Sequence, residues 1–304
     1  MQLILASIIP ILLGLLLGYC LGWLLPSRHT RHSARLLTPL IWLLLFFCGK
    51  EFGHVLSDSA VMGKTLITAL VFAVLTTVLP WGLIAFWLRA PAAVSKAGQA
   101  GLPSGMHFFH ALRDCLTALG MVAMGVIASR FALGWLDAIS ANQLLYLLIV
   151  LVGVDLVGLK LGSAWRSSEV MLLPVLVIIG SMAGGVLAAV FTGEGLWTSL
   201  ALSSGFGWVT LSSILVSSQL GSHYGALAML TDLFRELMAI SMLYLLGARF
   251  SRETIGICGA TALDATLPLI RQRCGTGCVS LALISGFVLT LASPVLIMLS
   301  LALA

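Results

Sequence analysis

The chain has 304 residues, of which 60% are hydrophobic and only 9% are charged. A soluble domain usually carries about 25% charged residues, so these few charges cannot cover a surface that faces water. The composition therefore excludes an ordinary soluble enzyme and, with a mean hydropathy of +1.11, indicates an integral membrane protein in contact with a lipid bilayer. The net charge of +5 is not concentrated in a basic patch with aromatic residues, so no nucleic acid partner is expected.

Apolar stretches of membrane-spanning length recur along the chain. A spanning helix needs about 20 mostly apolar residues. We predict such helices at residues 3–25, 36–56, 61–88, 113–136, 140–160, 170–192, 223–248 and 278–302. The longest polar connection, residues 89–112, is too short for a hydrophobic core of its own. Residues 1–304 are therefore predicted to form a single transmembrane domain.

Two further apolar stretches contain features that interrupt a helix. Residues 196–220 are dense in Ser and Gly, and residues 253–272 contain Gly259, Asp264 and Pro268. Irregular backbone is tolerated in a membrane only where protein or a water-filled cavity satisfies its polar groups. We therefore predict an all-α polytopic membrane protein with about eight transmembrane helices and two re-entrant or broken intramembrane segments. The alternative is that both segments are ordinary spans, which gives ten.

The basic residues predict how the helices are oriented. With eight spans and an outer N-terminus, most of the 16 basic residues fall in inner loops, as the positive-inside rule requires. The first of these loops would hold Arg28, Arg31 and Arg35. Ten spans would instead place Arg249 and Arg252 outside. Both termini are therefore predicted to lie at the outer face.

Four acidic residues remain inside the apolar stretches: Asp155, Asp232, Glu236 and Asp264. A charge near the membrane centre costs about 2.5–3.5 kcal/mol on insertion scales, so such residues usually face the bundle interior and mark a path for ions or protons. Asp232 and Glu236, four residues apart, share a helix face, and Asp232 can pair with Arg235. That pair would leave Glu236 available for a ligand. The alternative is one buried network with a purely structural role.

The two interrupted segments offer backbone groups to a ligand. Gly205 and Gly207 permit a tight turn whose N–H groups would suit a carboxylate, although close helix packing explains small residues equally well. In the second segment, Gly259 and Pro268 can break a helix around Asp264 and free backbone groups for coordination. The alternative role for Asp264 is to cap a short helix.

The cysteines predict no cofactor. Cys274 and Cys278 are the only closely spaced pair, in a C-x-x-x-C arrangement. A structural metal site would need more ligands, and no partner pair lies nearby in the sequence. We therefore expect neither a metal nor an organic cofactor.

Three motifs occur in a fixed order: S-G-F-G-W at residues 204–208, D-x-x-R-E at 232–236 and G-A-T-x-x-D-x-T-L-P at 259–268. Together they resemble the LysO family of bacterial lysine exporters, and the resemblance covers nearly the whole chain. It implies a single transmembrane transporter domain in the bacterial inner membrane, with eight spans and both termini periplasmic. It also implies export of L-lysine and its analogue thialysine by proton antiport, with Glu236 and Asp264 as an essential acidic pair.

We predict how such a site would hold its substrate. Glu236 and Asp264 would receive protons and the ammonium groups of L-lysine or a related cationic amino acid, and backbone donors at 205–208 would receive the carboxylate. The candidate substrate- and proton-binding residues are Glu236, Asp264, Asp232, Arg235, Ser204, Gly205, Gly207, Trp208 and Thr261.

Alternatives remain open for the function and for assembly. Paired acids also suit an intramembrane aspartyl-type hydrolase, although the chain has no G-x-G-D motif. A passive amino-acid channel is the third class. The small-residue face formed by Gly180, Gly184 and Gly185 permits close helix contacts, either within one chain or in a homo-oligomer.

Overall fold

Helices form almost all of the described structure. The computed structural model describes residues 13–14, 16–24, 27–53, 59–88, 106–131, 141–157 and 168–304. Residues 16–24 are helical, and the helices that follow are α1 Ser27–Glu51, α2 Ser59–Trp87, α3 Met106–Ala128, α4 Ala141–Leu156, α5 Ser168–Thr192, α6 Leu196–Ser203, α7 Val209–Leu220, α8 Ser222–Leu246, α9 Ser251–Cys258, α10 Leu267–Arg273 and α11 Val279–Leu301. Short 3-10 turns at Gly259–Leu263 and Thr276–Cys278 follow α9 and α10. No strand occurs within these ranges, as the all-α prediction requires.

The predicted spans all overlap helices, but they differ in length and apolarity. Within the described ranges, three helical stretches are long and apolar enough to cross a membrane: Met62–Trp87, Val170–Thr192 and Thr276–Leu301. Shorter apolar helices are Leu119–Ala128, Gln143–Val154 and Val209–Leu220. A helical membrane protein is therefore confirmed, whereas the count of eight spans and the outer position of both termini stay predictions. Asp155 lies in α4, and its side chain is outside the described part of the structure.

Two helices begin earlier than the apolar stretches that predicted them. Helix α1 begins at Ser27 and not at residue 36, so Arg28, Arg31 and Arg35 lie in its first turns instead of a loop. Helix α3 begins at Met106 and not at residue 113. Apolarity marks the part of a helix that a bilayer accepts, whereas backbone hydrogen bonding continues until a breaker ends it.

The two stretches predicted to be interrupted are both broken helices. The first is α6 and α7, which are separated by a turn at residues 204–208 where Phe206 (φ 50°) and Gly207 (φ 84°) adopt left-handed backbone conformations. The second is α9 and α10, which are separated by the 3-10 turn that begins at Gly259 (φ 64°, ψ −132°). Glycine favours such angles because it has no Cβ. Below, the first break means residues 204–208 and the second break residues 259–266.

The long helices pack around these breaks. Helix α2 packs along α5, α1 packs on α3 and α4, and α8 lies against α7, α2 and α9. Helix α11 contacts α6 and the 3-10 turn of the second break. Its Gly286 permits this approach, since a Cβ there would lie 2.7 Å from the Leu263 nitrogen.

The glycines of α5 serve contacts within the chain. A Cβ on Gly180 would lie 2.6 Å from the Pro80 Cα, and one on Gly184 would lie 2.8 Å from the Leu75 carbonyl oxygen, both in α2. Gly185 faces Ser203 of α6 in the same way. These positions therefore bring helices of one chain together, and the homo-oligomer stays a prediction.

Candidate functional site

The first and second breaks meet inside the molecule. The Ala260 N–H donates a hydrogen bond of 2.9 Å to the Phe206 carbonyl oxygen. Gly259 permits this contact, since a Cβ there would overlap the same oxygen. A Cβ on Gly207 would in turn lie 3.7 Å from the Thr261 methyl group. The backbone of each broken helix therefore closes on the backbone of the other.

Asp232 of α8 binds the first break. Its Oδ1 accepts a 2.9 Å hydrogen bond from the Gly207 N–H, and its Oδ2 accepts a 2.5 Å bond from the Ser212 hydroxyl. The side chain is only 1% exposed. A Cβ on Gly205 would overlap Oδ2, so glycine is needed there for the carboxylate to approach. The turn therefore does hold a carboxylate, and that carboxylate belongs to the protein itself.

Further polar groups in and next to the first break also have protein partners. The Trp208 N–H donates to the Gly205 carbonyl at 2.9 Å, and Trp208 itself is half-buried at the start of α7. The hydroxyl of Ser293 in α11 donates to the Ser204 carbonyl at 2.9 Å. The hydroxyl of Ser181 in α5 donates to the Ser203 carbonyl at 3.2 Å. Substrate binding by this turn stays a prediction, and its Gly207 and Trp208 donors are engaged within the protein.

Arg235 lies deep in the bundle and makes no hydrogen bond to Asp232 in the described part of the chain. Its Nη1 donates a 2.8 Å hydrogen bond to the Ser181 hydroxyl, and its guanidinium carbon stands 5.5 Å from the centre of the Phe206 ring. The charges of Asp232 and Arg235 attract each other, but the two Asp232 oxygens accept hydrogen bonds from Gly207 of the first break and Ser212 of α7. The predicted pairing is therefore electrostatic only, because donors from other segments take the place of a direct contact between these i and i+3 neighbours.

Glu236 stands one helical turn beyond Asp232 in α8 and is half-buried. Helix α8 packs against α9 and α10, the two helices that flank the second break. The helix that binds the first break through Asp232 therefore also carries Glu236 and contacts both helices of the second break.

Asp264 is exposed, in contrast to the buried Asp232. Its Oδ1 accepts a 2.5 Å hydrogen bond from the N–H of Ala265, the next residue. The N-cap of α10 is Thr266, so the alternative that the Asp264 side chain caps this helix is not realised. That Glu236 and Asp264 act as a pair stays a prediction.

Thr261 holds the second break together. Its hydroxyl donates to the Cys258 carbonyl at 2.8 Å, and its own carbonyl accepts from the Thr266 N–H at 3.1 Å and the Thr266 hydroxyl at 3.0 Å. The Asp264 N–H also points to this carbonyl, at 3.2 Å. The second break is therefore organised mainly by its own residues.

Sequence reasoning did not single out Ser181, Ser212 and Ser293. Each is buried, and their hydroxyl groups bond to Arg235, to Asp232 and to the first break, respectively. The available signal was the presence of a hydroxyl within an apolar helix, which such a helix retains at low cost only if it finds a partner. The partners lie 20 to 89 residues away in the sequence, so spacing alone does not reveal them.

Comparison with known proteins adds the family to this geometry. A family model described as lysine exporter LysO matches residues 117–301. The chain is also 32% identical over 295 residues to the lysine exporter LysO of Escherichia coli (strain K12), which covers 94% of this chain and 97% of that relative. The chain belongs to the LysO family of lysine exporters. This membership identifies it as a transporter and not an enzyme, which removes the hydrolase alternative.

A second relative supports the same family. A protein of Haemophilus influenzae that is provisionally named a lysine exporter is 32% identical over 183 residues, covering 59% of this chain and 94% of that protein. No solved structure matches the chain. The broken helices and their contacts described above therefore show how the three motifs of this chain are arranged in space.

Proposed function

We propose that this chain exports L-lysine, or a related cationic amino acid, across the bacterial inner membrane in exchange for protons. Similarity to a lysine exporter over 94% of the chain supports the substrate. The apolar helices support a multi-pass membrane protein. Thialysine is expected as a second substrate, because replacing one methylene of lysine by sulfur retains the carboxylate and both ammonium groups.

The observation that carries the mechanism is the convergence of one helix on two helix breaks. Broken membrane helices supply ion and substrate sites in many transporters. Asp232 has both oxygens bound, by Gly207 of the first break and by Ser212 of α7, so we assign the exchange of protons and ammonium groups to Glu236 and Asp264. Glu236 lies on α8, which packs against both helices that flank the second break, and Asp264 belongs to that break.

The exchange follows from the two states of an acid in a membrane protein. Burial favours the neutral, protonated acid, whereas a nearby cation favours the charged acid. At the inner face, lysine ammonium groups would displace protons from Glu236 and Asp264. At the outer face, protons would displace lysine. The site must open to one side at a time, since a site open to both sides would let protons leak.

The proposed arrangement in the membrane completes this function. We infer one transmembrane transporter domain with about eight spans, two broken intramembrane segments and both termini in the periplasm. The basic residues support this orientation through the positive-inside rule. Lysine then leaves the cell while protons enter down their gradient.

Transport by reconstituted protein tests the proposal. Liposomes loaded with labelled L-lysine should release it faster when the outside is made acidic. Glu236→Gln and Asp264→Asn should reduce release to the rate of liposomes without protein. Glu253→Gln is the matched control, because Glu253 lies in the first turn of α9, outside the proposed acidic pair. Its release rate should equal that of the unmodified protein.

The same experiment separates the exporter from a passive channel. A channel would release lysine at a rate that rises in proportion to its concentration and does not depend on the pH gradient. A carrier saturates and responds to the gradient. Saturable release that is indifferent to pH, or normal release by both acid variants, would contradict proton exchange at this pair.

A further inference from the structure

Arg235 is a permanent charge buried in the centre of the bundle. Its side chain is 1% exposed and lies among α5, α8 and the first break. An arginine stays protonated at any physiological pH, and a buried charge without partners is costly. The position therefore calls for groups that compensate the guanidinium.

The protein supplies only part of that compensation. Nη1 bonds to the Ser181 hydroxyl, but Nε and Nη2 make no hydrogen bond to any described residue. Asp232, the acid one turn earlier, attracts the guanidinium by its charge, but its oxygens accept hydrogen bonds from Gly207 and Ser212. A buried donor without an acceptor destabilises the folded state, so two of them on one side chain bring no benefit to the fold alone.

The two unmet donors share one edge of the guanidinium. Nε–H and Nη2–H point in parallel from that edge, and their spacing matches the two oxygens of a carboxylate. Ser181 and Phe206 fix the plane of the guanidinium. The Ser181 hydroxyl is itself held by the hydrogen bond that it donates to the Ser203 carbonyl, and the Phe206 ring lies beside the guanidinium carbon. The edge is therefore held in one orientation before a ligand arrives.

The geometry points to this edge of Arg235 as the subsite for the α-carboxylate of the transported amino acid. This inference rests on the proposed function and adds the partner for the substrate's negative group. The Gly207 and Trp208 N–H groups, the other candidates, are engaged within the protein. Glu236 is the next residue after Arg235, so one turn of α8 offers a cation to the carboxylate and an acid to an ammonium group.

The subsite makes the carboxylate a condition for transport. A diamine such as 1,5-diaminopentane, which is lysine without its carboxylate, retains both cationic groups but has no anionic group for Arg235 to bind. Lysinamide replaces the carboxylate by a neutral amide. Both should compete poorly with lysine for the unmodified protein, because neither offers a carboxylate to the Nε and Nη2 donors of Arg235.

Competition in liposomes tests the subsite. Exchange of labelled L-lysine is measured against unlabelled L-lysine, lysinamide and 1,5-diaminopentane. We expect Arg235→Gln to raise the half-saturating concentration of lysine about 10-fold to 100-fold, in line with the loss of a charged hydrogen-bond pair. The concentration of diamine that competes should stay nearly the same, so the preference for lysine over diamine is lost. Arg235→Lys, which keeps the charge but not the paired donors, should retain only part of that preference.

The outcomes separate this inference from the proposed function. An unchanged ratio of lysine to diamine in Arg235→Gln would overturn the subsite, because a merely structural role weakens both ligands equally. If the variant does not fold, equal competition by lysine and lysinamide in the unmodified protein also overturns it. Both of those results leave lysine export intact. Absence of saturable lysine exchange in the unmodified protein would instead overturn the proposed function and the subsite with it.

Discussion

The two helix breaks are built in opposite ways although they touch each other. The first break is buried and held from outside, by Asp232 of α8 and Ser293 of α11. The second is held mainly by its own Thr261, and its acid, Asp264, is exposed. An acid whose oxygens are all bound is suited to fixing structure. An exposed acid on a locally organised turn can exchange its partner. On this contrast we propose that the first break fixes the structure and that the second takes part in proton exchange.

The largest expected loss of folded protein comes from disrupting the contact between the first and second breaks. Gly259→Ala places a Cβ on the Phe206 carbonyl oxygen and also strains a left-handed backbone position. We expect most of the folded protein to be lost, measured as the monodisperse fraction in detergent by size-exclusion chromatography.

Gly221→Ala is the matched control for that variant. Gly221 also has a positive φ, of 89°, but a Cβ there meets nothing within 4 Å. It should cost only the backbone strain, about 1–3 kcal/mol. Equal loss of folded protein in both variants would show that strain, and not the meeting of the breaks, limits folding.

Asp232 and Asp264 should separate stability from transport. Asp232→Ala leaves the Gly207 N–H and the Ser212 hydroxyl without their Asp232 acceptor, and each unsatisfied buried donor costs about 1–3 kcal/mol. Asp232→Asn keeps one oxygen for Gly207 and should lose much less stability. Asp264→Asn should leave the thermal unfolding temperature unchanged and abolish proton-driven lysine release.

Thermal unfolding in detergent, followed alongside lysine release, checks that separation. The assignment fails if Asp264→Asn unfolds at a much lower temperature, or if Asp232→Ala unfolds normally. Either result would mean that stability does not depend on Asp232 at the first break, or that Asp264 of the second break serves stability as well as transport.

A smaller effect is expected from the hydroxyl groups that hold the first break. Ser293→Ala leaves the buried Ser204 carbonyl without its closest donor, which costs about 1–3 kcal/mol. Ser241→Ala is the control, because Ser241 is exposed and its hydroxyl donates to the Leu237 carbonyl of its own helix. Chemical unfolding of both should show a loss only in Ser293→Ala, and an equal loss would contradict support from α11.

The positions of the breaks could be predicted from the sequence, but their partners could not. Gly207, Gly259 and Pro268 locate the turns because glycine and proline have specific backbone effects within a few residues. The hydrogen-bond partners of Asp232 were not predicted, because helix spacing ignores the Gly207 N–H, which lies 25 residues away and takes Oδ1.

Membrane position was also only partly predictable. The apolar stretches gave the helical class and the approximate helix positions, since about 20 apolar residues are what a bilayer requires. They did not give the start of α1 at Ser27, because a helix continues past the bilayer-compatible part of its sequence. Carboxylate binding by the first break was expected from its glycines. That the carboxylate is the one of Asp232 depends on how α8 packs, which the sequence does not show.

Proton movement driven by lysine tests the central claim most directly. Liposomes with a pH-sensitive dye inside, no initial pH gradient and excess L-lysine inside should become acidic within, because protons enter as lysine leaves. Glu236→Gln and Asp264→Asn should show no such acidification, while Glu253→Gln should match the unmodified protein. Lysine leaving without any change of internal pH, or unchanged acidification by both acid variants, would contradict proton exchange at the second break.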